Sequence, residues 1–170
     1  MFKSAQVILA SDPHQIPDVL HAWLYARGSL TAQLKQLSNG QFHVLPIKEK
    51  FERPQRQYNQ WLNTPLHHTA WVREALLYGA EKTPWVKATS IFPVMSVQKQ
   101  ARIFKSLGCK PIGWFLFQRT QPTCKRRILK LDDGWTRQSC YTWHGCQFIV
   151  QETFLASFEQ YLYQKQQKGL

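Results

Sequence analysis

The chain has 170 residues, enough for one compact domain and too few for two comfortable ones. It is 44% hydrophobic and 14% aromatic, so it can bury a sizeable core, which excludes intrinsic disorder over most of its length. Lysine and arginine number 22 against 10 acidic residues, and the resulting formal charge of +12 favours an anionic partner: nucleic acid, a membrane surface or an acidic small molecule.

The first third reads as helical. Leu20, Trp23 and Leu24 recur at helical spacing in a segment that opens at Ile16-Pro17-Asp18, runs to about Arg27 and stops at Gly28. Ser29 is a candidate N-cap for a short helix over Leu30 to Leu37, ended by Asn39-Gly40. An extended stretch starts near Phe42 and ends near Pro54. Arg53 to Leu66 is polar, a loop with some local helix. His68 to Tyr78 and Pro84 to Phe92 read as neighbouring strands joined by a turn over Gly79 to Thr83. Ser96 to Leu107 reads as a helix closed by Gly108. Lys125 to Leu131, Trp135 to Trp143 and Cys146 to Phe154 form a meander, with turns at Asp132-Asp133-Gly134 and His144-Gly145. Gln164 to Leu170 reads as a polar, fraying tail. The expectation is a single α+β domain, a mainly antiparallel sheet of about six strands with helices on one face.

Two charges stand out in this pattern. Side chains alternate across a strand. Trp71, Arg73, Ala75 and Leu77 therefore share a face of their strand, and Phe148, Val150, Glu152 and Phe154 share a face of theirs. An arginine and a glutamate each sit among core-forming neighbours. Isolated buried charges are costly, so such groups are paired or ligand-bound. One reading is a buried Arg73–Glu152 salt bridge that only holds register. The other is a closed polar pocket in an apolar shell, where arginine grips a carboxylate or phosphate by its fork and glutamate bonds a hydroxyl or handles a proton.

The same residues carry a family resemblance. From about Trp23 to Leu155 the chain resembles the chorismate pyruvate-lyase family. The landmarks are Gly28-Ser29-Leu30-Thr31, Trp71-Val72-Arg73-Glu74, Pro84-Trp85-Val86 and Ile91-Phe92-Pro93. They continue with Leu107-Gly108, Pro111-Ile112-Gly113-Trp114-Phe115-Leu116-Phe117, Trp135-Thr136-Arg137-Gln138-Ser139 and Glu152-Thr153-Phe154-Leu155. The resemblance implies an antiparallel sheet with a ligand site beneath two helical flaps. It implies that Arg73 binds the ring carboxylate, that Glu152 contacts the ring hydroxyl, that backbone at Ile112 approaches the carboxylate and that Leu30 covers the aromatic ring. Familiar members carry arginine where this chain has Thr89, a basic residue at Gln138, methionine at Leu30 and proline at Ala156.

The implied activity converts chorismate to 4-hydroxybenzoate and pyruvate, the first committed step of ubiquinone synthesis. It needs no metal, redox cofactor or covalent nucleophile. The expected protein is a cytoplasmic monomer acting on chorismate and 4-hydroxybenzoate, with no specific nucleic-acid partner. The alternative is a non-catalytic small-acid-binding domain of the same fold, as in the effector modules of transcription regulators. Those are normally fused to a winged helix, for which there is no room before Trp23. Other classes lack their signatures. Apolar runs such as Phe148-Ile149-Val150 are far shorter than the about 20 residues of a spanning helix. Val7-Ile8-Leu9-Ala10 is too short for the core of a signal peptide. Cys109, Cys124, Cys140 and Cys146 are sparse and read as reduced thiols, and Cys140, His144 and Cys146 fit no common zinc spacing. No helix-turn-helix or RNA-binding motif accompanies Lys125-Arg126-Arg127, and there is no Gly-x-Ser-x-Gly or Gly-x-Gly-x-x-Gly.

Overall fold

A computed structural model describes residues 8–9, 13–65, 67–95, 123–143 and 145–169. The helix expected over Ser96 to Leu107 and the segment holding Ile112 lie outside these residues.

Among the described residues seven strands form one sheet in the order β1-β5-β6-β7-β4-β3-β2, every neighbouring pair antiparallel. They are β1 (Ile8–Leu9), β2 (His43–Glu52), β3 (Ala70–Tyr78), β4 (Pro84–Pro93), β5 (Thr123–Leu131), β6 (Gly134–Trp143) and β7 (Cys146–Phe154). β1 is a two-residue edge, so the working sheet is the expected six strands. It is built from two meanders, β2-β3-β4 and β5-β6-β7, sealed where β7 pairs with β4. The turn between β5 and β6 depends on Gly134. Its φ is +149°, and a Cβ there would meet the Phe154 carbonyl oxygen at 2.1 Å.

The helices are α1 (Asp18–Tyr25), α2 (Leu30–Leu37), α3 (Arg56–Leu62) and α4 (Ala156–Lys168). α2 starts as its sequence demands, with the Ser29 hydroxyl accepting from the Ala32 amide at 3.3 Å. The α1, α2 and α4 helices bury Leu20, Leu24, Leu30, Leu34, Phe158 and Leu162 in one cluster with Leu77, Val86, Trp135 and Phe154 of the sheet. Burying each such side chain is worth roughly 1.5–3 kcal/mol, so this cluster is the main anchor of the helical layer. The short α3 lies against the opposite face, where Tyr58 and Leu62 join Val72, Ile91, Cys140 and Ile149.

α4 corrects the reading of the C-terminus. The helix continues through Lys168, although every side chain from Tyr163 to Gly169 is exposed. Only Phe158 and Leu162 are buried on it, an anchor of one i,i+4 pair. The polar remainder is rich in Gln and Lys, straight-chain residues that lose little freedom in a helix. Lys165 and Lys168 face the negative end of the helix dipole. Among the described residues no helix is long and apolar enough to cross a membrane. Cys124, Cys140 and Cys146 are all free thiols.

Candidate active site

Register decides which side chains share a face, since residues opposite one another across an antiparallel pair point the same way. Four rows run across the helix-covered side. The first joins Trp71, Phe92, Phe148, Tyr141 and Cys124. The second joins Glu49, Arg73, Ser90, Val150, Ser139 and Arg126. The third joins Ala75, Ala88, Glu152, Arg137 and Ile128. The fourth joins Leu77, Val86, Phe154, Trp135 and Lys130. An aromatic row and an apolar row thus bracket two rows that carry the charges.

The face is floored by small side chains. Ala88 and Ser90 of β4 stand between Arg73 and Glu152, and Ala75 lies beside them on β3. Its aromatic wall is continuous. Trp71 packs on Phe92 with centroids 5.4 Å apart, Phe92 on Phe148 at 5.1 Å and Phe148 on Tyr141 at 5.5 Å.

The β3-β4-β7 register puts Arg73 and Glu152 on this one face, but they are not each other's partner. β4 lies between β3 and β7, a separation of two strand spacings or about 10 Å. The buried Arg73–Glu152 bridge is therefore replaced by two other pairs. Arg73, 4% exposed, meets Glu49 from the strand beside it, Nε to Oε1 at 3.0 Å, and that glutamate is 43% exposed. Glu152, 12% exposed, accepts from Nε of Arg137, which is 1% exposed. Burial works against the Arg137 charge, but the adjacent Glu152 carboxylate outweighs it and holds the guanidinium above its ordinary value. Tyr141 is pushed up to about 12, first by burial and then by the negative charge of Glu152. Its phenol keeps its proton at neutral pH.

Leu30, the first residue of α2, is buried at 3% within the helical cluster on this side of the sheet. The junction leading to it is tied to the charged rows. Arg137 Nη1 donates to the Trp23 carbonyl at 2.9 Å and the Ala26 carbonyl at 3.3 Å. Arg126 Nη1 donates to the same Ala26 oxygen, while its Nε donates to Ser139 Oγ at 2.9 Å. Arg137 was visible in the sequence as part of Trp135-Thr136-Arg137-Gln138-Ser139, and the alternation that singled out Arg73 puts it on the face of Trp135 and Tyr141. Two residues that depart from familiar members lie on the other face. Thr89 and Gln138 belong to the row Glu74, Thr89, Gln151, Gln138, Arg127. Among the described residues no group of three or more His, Cys, Asp or Glu could hold a metal ion.

Comparison with known proteins gives the family of the chain. The model of the chorismate lyase family matches residues 2–168. The chain belongs to the chorismate lyase family. It is 66% identical over 143 residues to a probable chorismate pyruvate-lyase of Acinetobacter baylyi, covering 84% of this chain and 86% of that protein. It is 57% identical over 168 residues to a probable chorismate pyruvate-lyase of Acinetobacter baumannii, covering 99% of each. More distantly, the chorismate pyruvate-lyase of Yersinia enterocolitica is 27% identical over 147 residues and 86% of each chain. Among solved structures, a possible transcriptional regulator YydK of Bacillus subtilis superposes with a TM-score of 0.50 at 6% identity, covering 69% of this chain and 60% of that one. That likeness speaks to the fold alone.

Proposed function

We propose that this chorismate lyase family member converts chorismate to 4-hydroxybenzoate and pyruvate, supplying the aromatic ring of ubiquinone, and that Arg73, Glu152, Leu30 and Ile112 form its site. The observation that carries the site is the shared face. A buried arginine and a partly buried glutamate stand about two strands apart over small residues, each held by its own counter-ion and not by the other. A ring acid with a carboxylate at one end and a hydroxyl at the other fits that spacing and polarity.

The reaction is an elimination. The ether bond from the ring to the enolpyruvyl oxygen breaks, the ring proton at the hydroxyl-bearing carbon leaves, and the enolpyruvate takes up a proton to become pyruvate. Atoms balance without water, and no electrons are gained or lost overall. Aromatisation makes it downhill, so the protein need only bind, orient and dry the substrate. Arg73 forks onto the ring carboxylate. Glu152 accepts from the ring hydroxyl and is placed to orient it or relay a proton. Leu30 closes over the ring, and the Ile112 backbone completes the carboxylate cradle. The charge of +12 steers a dianionic substrate inward, so the second-order rate falls as salt rises. A closed, dry pocket also holds its aromatic product, and opening of the helical layer then limits turnover. The enzyme acts as a monomer in the cytoplasm.

The test is direct. Purified protein incubated with chorismate yields 4-hydroxybenzoate and pyruvate in equal amounts above a no-enzyme blank, and Arg73→Ala abolishes the excess. Tight 4-hydroxybenzoate binding without turnover would instead indicate a non-catalytic small-acid binder of the same fold. Full activity in Arg73→Ala would remove the site assignment.

A further inference from the structure

Arg137 makes an unusual set of bonds for a strand residue. Its Nε meets the Glu152 carboxylate, and its Nη1 reaches the carbonyls of Trp23 and Ala26 at 2.9 and 3.3 Å. Those carbonyls sit at the C-terminal end of α1, where a helix leaves acceptors unsatisfied and its dipole is negative. Ala26 has already left the helix, with ψ 132°, and the chain then turns through Gly28 at φ +101° into Ser29 and Leu30. A planar guanidinium with five donors is the side chain that can span a carboxylate and two carbonyls at once; an ammonium is a single point.

We infer that Arg137 is a positioning residue that joins Glu152 to the α1–α2 junction, so that ligand contact at the carboxylate and closure of the segment bearing Leu30 are one event. The inference rests on the site proposed above, with Glu152 on the ligand hydroxyl and Leu30 over the ring. A ligand hydroxyl bonded to Glu152 holds that carboxylate in place, and Arg137 carries the constraint to Trp23 and Ala26. Arg126 bonds the same Ala26 oxygen from the neighbouring strand, so the junction is gripped from two strands together. Coupling of this kind is reciprocal: a looser junction must also loosen the ligand.

The experiment follows amide hydrogen exchange of α2, Leu30–Leu37, with and without saturating 4-hydroxybenzoate, together with the dissociation rate of that ligand. In the parent protein the ligand protects α2. Arg137→Lys keeps the positive charge beside Glu152 but cannot span both carbonyls. It is expected to lose the ligand-dependent protection of α2 and to release 4-hydroxybenzoate at least 10-fold faster, while amides of β3 around Arg73 stay protected. A merely structural Arg137 would lower thermal stability equally with and without ligand and leave the protection difference intact; that result overturns the inference. Should Arg137→Lys fail to fold, Glu152→Gln provides the same reading, because it removes the ionic end of the link while Arg73 still binds the carboxylate. At saturation it must lose α2 protection, and its retention overturns the inference. Failure of the underlying site looks different: Arg73→Ala and Glu152→Gln would both leave 4-hydroxybenzoate affinity unchanged, and the inference would fall with the site.

Discussion

The two faces of the sheet solve the burial of polar groups in opposite ways. Beneath the helical layer, Arg73, Glu152 and Arg137 are formal charges held by Glu49, by each other and by main-chain carbonyls. Beneath α3, the corresponding row is mostly neutral. Gln151 Oε1 accepts from Tyr58 at 2.9 Å and from Gln138 at 2.7 Å, and Gln138 Oε1 accepts from Arg127 at 2.7 Å. Arg127 then lies over the Trp61 ring, 4.4 Å from its centroid. That chain of donors and acceptors links α3 to the sheet through protein groups, as a structural network does. The charged rows instead spend two buried arginines and a carboxylate over a floor of alanine and serine, an arrangement costly for stability alone and suited to an anionic ligand. Two of the four substitutions that set this chain apart from familiar members, Thr89 and Gln138, lie in the neutral row, away from the face of Arg73 and Glu152, whereas Leu30 lies on the helix-covered side.

The largest expected effect breaks the charged side. Arg137→Met strands the Glu152 carboxylate in a buried site, and unfolding in denaturant should show a loss of about 3–5 kcal/mol. Arg73→Ala should lower kcat/KM for chorismate by at least about 100-fold, the worth of a charge-assisted carboxylate clamp. Tyr58→Phe tests the neutral side. It should cost about 1 kcal/mol in stability and leave kcat within about two-fold of the parent, since Gln151 keeps its bond from Gln138. A large loss of activity in Tyr58→Phe would make the α3 face part of the site. The smallest effect is at Glu52, on the α3 side of the sheet edge. Burial alone would raise its carboxyl, but hydrogen bonds from Lys48 and Lys50 outweigh this and hold it below the ordinary 4.5. A lowered folded value gives stability that is full above the ordinary value and lost as pH falls through the folded one. Glu52→Gln should therefore cost about 0.2–1 kcal/mol at pH 7, less in high salt, with parent and variant converging in acid.

Much of this molecule is legible in the sequence, and the limits have physical causes. Strong alternation and Gly-containing turns gave β3, β4 and the β5-β6-β7 meander within one or two residues, and Ser29 marked α2. Alternation also put Arg73 and Glu152 among core neighbours. It could not say that β7 pairs with β4, so it could not distinguish an Arg73–Glu152 bridge from two separate pairs. Arg137 is a family landmark, but alternation gives it no distinct role because β6 is buried on both faces from Trp135 to Tyr141. With Thr136, Gln138 and Ser139 buried beside it, polar and apolar positions no longer alternate and an arginine does not stand out. α4 was missed because its buried stripe is reduced to Phe158 and Leu162.

The most direct measurement is a crystal structure of the protein with 4-hydroxybenzoate. The ring should lie on the helix-covered face, with its carboxylate on the Arg73 fork, its hydroxyl on Glu152 and Leu30 above it. A ring bound instead on the α3 face, against Thr89, Gln138 and Gln151, would contradict the division of labour between the two faces.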